Sequence, residues 1–156
     1  MCSSDLYEGD GAFVPDDVPV PAVADPVIDF VPHAKPGHRA PHMWVRRGDE
    51  RVSTIMLFEG CFVLLAGDRG TAWIDGARTM AARLKPAIHA YRVAADGDLI
   101  PESDFCVLYG ITPSGAVLVR PDGHVAFRAP RLTADPTSTL RHALDRVLQR
   151  GPVHQA

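Results

Sequence analysis

Residues 61–66, Cys-Phe-Val-Leu-Leu-Ala, form an unbroken apolar run bounded by Gly60 and Gly67. Successive side chains of a strand point to opposite faces, so a strand with one solvated face alternates apolar and polar residues. A run with no polar member is the pattern of a strand covered on both sides. The chain must therefore lay secondary structure over both faces of a sheet, which points to a layered α/β domain with this strand near its centre. At 156 residues, 46% of them hydrophobic and 22% charged, the chain is long and apolar enough to build one such domain.

The flanking patterns supply the layers. After Gly67-Asp68-Arg69-Gly70, a turn, Trp73, Ala77, Met80 and Leu84 recur at helical spacing with Arg78 and Arg83 between them, and Pro86 stops the helix. Ile88 to Val93 alternates apolar and polar residues and reads as the next strand, completing a βαβ unit. Upstream, Met43-Trp44-Val45 and Val52-Ser53-Thr54-Ile55 flank a turn at 46–50 and read as a short hairpin. Downstream, Ser103 to Leu108 reads as a short helix. Ala116–Arg120 and His124–Arg128, joined by Pro121-Asp122-Gly123, form an antiparallel hairpin. Asp135-Pro136 offers an N-cap and an N1 proline to a last helix, with Leu140, Leu144, Val147 and Leu148 as its apolar stripe and its end at Gly151. Strand-helix-strand, short helix, hairpin, helix is the order of a thioredoxin-like domain: α/β, with a mixed central sheet and flanking helices.

Seven of the 14 prolines lie in the first 41 residues, where fixed φ angles and missing donors rule out regular helix. Residues 7–38 are expected to be an extended Pro-rich arm, 39–151 the thioredoxin-like domain and 152–156 a tail. Residues 1–6, Met-Cys-Ser-Ser-Asp-Leu, resemble the translation of the end of a common sequencing adapter. They are expected to be an assembly scar on a gene that continues upstream, and they lack the apolar core of a secretory signal.

The balance of 16 Lys+Arg against 19 Asp+Glu gives no electrostatic reason to expect nucleic acid or an anionic membrane as partner. The longest apolar runs are strand-length, well short of the roughly 20 residues of a membrane-spanning helix. Three cysteines, Cys2, Cys61 and Cys106, are odd in number and widely spaced, which fits reduced thiols in the cytoplasm rather than a disulfide framework or CxxC pair.

Five strings carry a resemblance. They are Pro36 to Val45 (Pro-Gly-His-Arg-Ala-Pro-His-Met-Trp-Val), Ser53 to Phe58, Phe62 to Leu65, Tyr109-Gly110-Ile111, and Gly115 to Arg128. Together they resemble the carboxy-terminal domain of FAD-dependent aromatic-ring hydroxylases, the class A flavoprotein monooxygenases of the phenol hydroxylase, dichlorophenol hydroxylase and aromatic-polyketide hydroxylase type, over about residues 7–150. The resemblance implies a parent enzyme that uses FAD and NAD(P)H to hydroxylate phenolic or polyketide rings. It also implies a missing amino-terminal flavin domain as the partner of this thioredoxin-like domain, with homo-oligomerisation open. Met56 departs from the family, which commonly carries Asp in that string.

Each chemical candidate also has a plain structural reading. Gly67-Asp68 imitates a flavin-contacting Gly-Asp pair, but its flanks belong to the carboxy-terminal pattern and it is read as a turn. No G-x-G-x-x-G follows a strand, so this chain alone is expected to bind no FAD. Cys61 and Cys106 are read as inert, since neither has a CxxC partner and a strand-embedded thiol lacks an activating helix end or cation. His38 and His42, with His33 nearby, have zinc-like spacing, but Pro36 and Pro41 preclude a helix, and the loop is read as a turn held by Arg39 and His42. Arg120, Asp122, His124 and Arg128 cluster on one hairpin, where Asp122-Gly123 is read as making the turn and the alternate residues are expected to face solvent or another domain. None is assigned a catalytic, cofactor-binding or metal role. The leading expectation is the carboxy-terminal structural domain of the hydroxylase. A free-standing non-catalytic thioredoxin-like binding or dimerisation module and a one-cysteine peroxidase or disulfide enzyme based on Cys61 are the alternatives.

Overall fold

The computed structural model describes Val14, residues 34–81 and residues 87–148. The elements are β1 (Trp44–Arg47), β2 (Glu50–Ser53), α1 (Thr54–Leu57), β3 (Phe62–Ala66), α2 (Thr71–Ala81), β4 (Ile88–Arg92), β5 (Ile100–Pro101), α3 (Phe105–Tyr109), β6 (Ala116–Val119), β7 (Val125–Ala129) and α4 (Pro136–Val147). The main sheet runs β4-β3-β6-β7 and a smaller one β2-β1-β5. β3 and β4 are parallel while β3–β6 and β6–β7 are antiparallel, so the sheet is mixed, as expected from the sequence.

All five residues of β3 are buried, and the pleat sends them alternately into two cores. Phe62, Leu64 and Ala66 meet Trp73, Ile74 and Ala77 of α2 and Leu140 and Leu144 of α4. Val63 and Leu65 meet Phe105 and Tyr109 of α3, Leu57 and Phe58, and Val45 of the small sheet. Completely burying one such Leu or Val contributes roughly 1.5–3 kcal/mol. The βαβ unit and the β6–β7 hairpin thus give β3 its sequence-expected surroundings.

Three boundaries differ from the expectation. Thr54 and Ile55 leave the hairpin, because Ser53 Oγ accepts the Ile55 N–H at 3.3 Å and caps the helical turn α1. Thr54 Oγ1 instead accepts the Met43 N–H at 3.0 Å. The strand pair shifts accordingly, with Gly48-Asp49 as a two-residue turn. The first turn of α3 begins at Phe105 because Asp104 caps it by accepting the Val107 N–H. Leu84, Pro86 and Gly151, invoked as stripe and stop residues, lie outside the described residues, as do residues 1–6 and 152–156.

The outer edge of β7 is not open. Gly37 N–H donates to Val125 O at 2.9 Å, Val125 N–H to His38 O at 2.8 Å and Ala40 N–H to Gly123 O at 2.8 Å. Residue 126 interrupts the β6–β7 register as a bulge, and its carbonyl accepts the Val14 N–H at 2.7 Å. Ala34 and Ala40 are buried in the core on the α3 side. Residues 34–38, within the span expected to be arm, therefore pack on the domain and cover its strand edge.

One buried polar contact locks this strap to the rest. The Tyr109 hydroxyl, at the end of α3, donates to Pro41 O at 2.7 Å. Burial pushes the phenol well above its ordinary pKa, only partly offset by a hydrogen bond with Thr54. The protonated phenol is the form the fold favours, so its contribution is complete below about pH 10, the ordinary tyrosine range, and is lost as pH rises beyond it. We expect Tyr109→Phe to cost about 0.5–1.5 kcal/mol in urea unfolding at neutral pH. Phenolate absorbance should show Tyr109 resisting ionisation until the chain unfolds.

Candidate functional site

In open α/β sheets, ligands collect outside the carboxyl ends of the strands. Here β3 and β4 end together, and the β3–α2 turn at 67–70 is where a redox thioredoxin-like protein would carry its reactive cysteine. That turn is Gly-Asp-Arg-Gly. It is pinned to the loop before β6: Gly67 N–H donates to Gly115 O at 3.0 Å and Arg69 N–H to Pro113 O at 2.8 Å. The approach is so close that a Cβ on Gly67 would stand 2.5 Å from Pro113 O.

A charge network ties the two strand ends. Arg92, the last residue of β4, reaches back to Asp68 Oδ1 at 2.6 Å and across to Asp96 Oδ1 at 3.1 Å, while its N–H donates to Asp98 Oδ2 at 2.9 Å. Each pair is largely solvated, and such pairs contribute at most about 1 kcal/mol. Beside the network lies a cleft of about 400 Å³ whose walls include Asp68, Arg69, Asp104, Phe105, Cys106 and Pro113.

The cleft does not assemble a nucleophile. Burial pushes the half-buried Cys106 thiol up, and the charges of Asp104 and Asp68 push it further in the same direction. Cys106 is the second residue of α3, yet that helix is a single turn already capped by the Asp104 carboxylate, and the charges acting on the thiol oppose its ionisation. Asp104 caps α3 and Asp68 is paired with Arg92. Gly67-Asp68 is a turn, as read from the sequence.

Cys61 is buried at the entrance to β3. Its thiol donates to Leu57 O at 3.6 Å and lies 3.9 Å from His89 Nδ1, and burial raises its pKa as well. His38 and His42 do not form a metal pair. His38 lies in the strap and its carbonyl bonds β7, whereas the His42 ring packs edge-on against Trp44 at 5.0 Å. His33 is outside the described residues, and among those described no three His, Cys, Asp or Glu side chains could share a metal ion. Main-chain bonds at Gly37, His38 and Ala40 hold this loop against β7.

The hairpin cluster requires a correction. His124 and Arg128 were expected to face outward, yet they are only 3% and 5% exposed. The strap over β7 and the end of α3 enclose positions that strand alternation alone assigns to solvent. Arg128 Nη1 donates to Tyr109 O at 3.3 Å and packs where a Cβ on Gly110 would intrude, 2.7 Å away. Gly110 ends α3 with φ 68°, a left-handed conformation suited to glycine. Arg120 pairs with Asp122, which also accepts the His124 N–H at 3.1 Å. Burial lowers the His124 pKa; Arg39 and Arg120 act in the same direction and Asp122 against it. Arg128 thus braces a helix end, while Asp122 ties Arg120 and His124 together at the turn. Sequence reasoning missed Arg92, although the acidic turn Asp96-Gly97-Asp98 just after it was a readable signal.

A family model described as "Aromatic-ring hydroxylase, C-terminal" matches residues 33–151. The chain is 43% identical over 141 residues to tetracenomycin A2 monooxygenase-dioxygenase of Streptomyces glaucescens, a match covering 90% of this chain and 24% of that protein. It is 42% identical over 144 residues to aklavinone 12-hydroxylase RdmE of Streptomyces purpurascens, covering 92% and 26%. A crystal structure of aklavinone-11 hydroxylase in ternary complex with FAD and aklavinone superposes with a TM-score of 0.79 at 40% identity, over 94% of this chain and 26% of that one. The chain spans about a quarter of the length of these curated relatives.

With both thiols held above their ordinary pKa, we expect Cys61 and Cys106 to alkylate with iodoacetamide at neutral pH more slowly than a free thiol. Peptide-resolved mass spectrometry over time would measure this, and a rate above that of free cysteine at either position would contradict it.

Proposed function

Because the chain belongs to the family of aromatic-ring hydroxylase carboxy-terminal domains, we propose that it is the non-catalytic carboxy-terminal domain of an FAD- and NAD(P)H-dependent monooxygenase acting on phenolic or polyketide rings. In this reading residues 7–38 lead from the flavin-bearing part and 39–151 pack against it, with the strap at 34–38 already seated on the domain. The observation that carries the proposal is the coverage: about 90% of this chain matches about a quarter of each hydroxylase.

Among the described residues, the β3–α2 turn does not fit the pyrophosphate of a flavin dinucleotide. Binding a pyrophosphate at a strand-to-helix turn requires glycines that leave backbone N–H groups open to it. Here the space at Gly67 is filled by Pro113 and that at Gly70 by Ala66 and Gly115, and the Gly67 and Arg69 N–H groups are spent on the loop before β6. Oxygen insertion would belong to the cofactor-bearing remainder. The contribution of this domain is a rigid face.

Two measurements test this. The 156-residue chain incubated with FAD and passed through gel filtration should carry no flavin absorbance. Long-read sequencing of the source DNA should carry the reading frame upstream of Tyr7 into a strand, a G-x-G-x-x-G turn and a helix. Stop codons directly upstream of Met1, or stoichiometric flavin on the short chain, would overturn the proposal.

A further inference from the structure

The outer face of the small sheet contains side chains that the fold itself does not use. Val45 points inward and is fully buried, so Trp44 and Arg46, its neighbours in β1, point outward. The register sets Arg51 of β2 and Ile100 of β5 on either side of Arg46. Trp44 is 40% exposed and Ile100 38%. Val107 of α3 and Leu132 of the loop before α4, also exposed, lie elsewhere, and isolated apolar side chains on a surface are ordinary.

Trp44 is held in place. The Arg51 guanidinium lies 4.1 Å over its ring and His42 meets it edge-on. Arg51 Nε also donates to Glu102 at 2.8 Å. Arg46 and Arg51 sit directly opposite each other across the strands, an arrangement of like charge that destabilises a sheet unless a carboxylate comes between them. Glu102 supplies one for two arginines. Beyond Arg51 opens a cleft of about 390 Å³ lined by Met56, His89 and Tyr91 among others. Met56, 65% exposed, lines that cleft together with Glu50 and Glu59.

We propose that this face, with Trp44 and Ile100 as apolar anchors and Arg46 and Arg51 as cations, is where the flavin-bearing remainder of the hydroxylase docks. That remainder would present a carboxylate to Arg46 and an apolar side chain to Trp44. The inference rests on the functional reading above. About three quarters of the length of the relatives lies outside the match, so a large partner surface must sit against some face of this domain. A pre-positioned tryptophan flanked by arginines has the composition of an interface hot spot, and a carboxylate from the partner would relieve the opposed charges.

The test uses a full-length chain. The 156 residues replace the matching carboxy-terminal quarter of aklavinone 12-hydroxylase from Streptomyces purpurascens, and the temperature at which the chimera releases FAD is compared with the unfolding temperature of the 156-residue chain alone. Trp44→Ala combined with Arg46→Glu should lower the release temperature of the chimera by several degrees more than it shifts the unfolding temperature of the short chain. Equal shifts in both proteins, or no shift in the chimera, would remove the docking face and leave the functional reading standing. If the unsubstituted chimera released flavin at the same temperature as the hydroxylase with its last quarter deleted, the domain would not support the flavin part and both conclusions would fall.

Discussion

Double-sided burial of β3 is the constraint from which the architecture follows. Five consecutive side chains with no polar member need an apolar partner above and below, and no single helix can supply both. The crossover α2 and the terminal α4 close one side. The other is closed by shorter pieces, α1, α3, the small sheet and the strap, which bring polar backbone into the interior. Those pieces need internal hydrogen bonds in a way the helical side does not, because every buried donor or acceptor must find a partner. Thr54, Tyr109 and the Pro41 carbonyl meet that requirement in one place.

The two ends of the sheet differ. β7 is sealed by a segment that lies more than 80 residues before it in the chain, tied by three main-chain bonds at Gly37, His38 and Ala40. Such a closure is non-local and costs loop entropy to form, but once formed it gives the domain a protected edge and buries Arg128 against a helix end. At the other end, the outer side of β4 meets the turn at 94–99, where Leu99 N–H donates to Arg92 O and Asp98 accepts from Arg92 N–H. An acidic turn covers the last residue of β4.

How much of this the sequence shows depends on the range of each interaction. The unbroken run at 62–66, the Asp122-Gly123 turn and the Asp135-Pro136 cap each act within a few residues, and each produced the expected element. Ser53 as a cap is equally local but was hidden behind the β-rich Val52-Ser53-Thr54-Ile55, where branched side chains argue for strand until the serine hydroxyl is placed. β5 has only two residues and no periodicity to detect. The burial of His124 and Arg128 was unreadable because strand alternation assumes an uncovered face, and the cover comes from the opposite end of the chain. At the strand ends the sequence showed an absence, no G-x-G-x-x-G and no CxxC, while the Arg92 network required knowing that β3 and β4 finish side by side.

The close packing at Gly67 limits how the fold could be changed. An engineer hoping to turn this domain into a disulfide reductant would begin by writing a CxxC into residues 67–70, the position the architecture offers. With Pro113 O at 2.5 Å from where the first new side chain would begin, and Ala66 Cβ at 2.9 Å and Gly115 O at 3.1 Å from the corresponding position on Gly70, both flanks of that turn are already occupied. The loop 111–115 would have to be rebuilt together with the turn. The route from scaffold to redox enzyme therefore passes through two coordinated backbone changes, and a simple exchange of side chains would not open it.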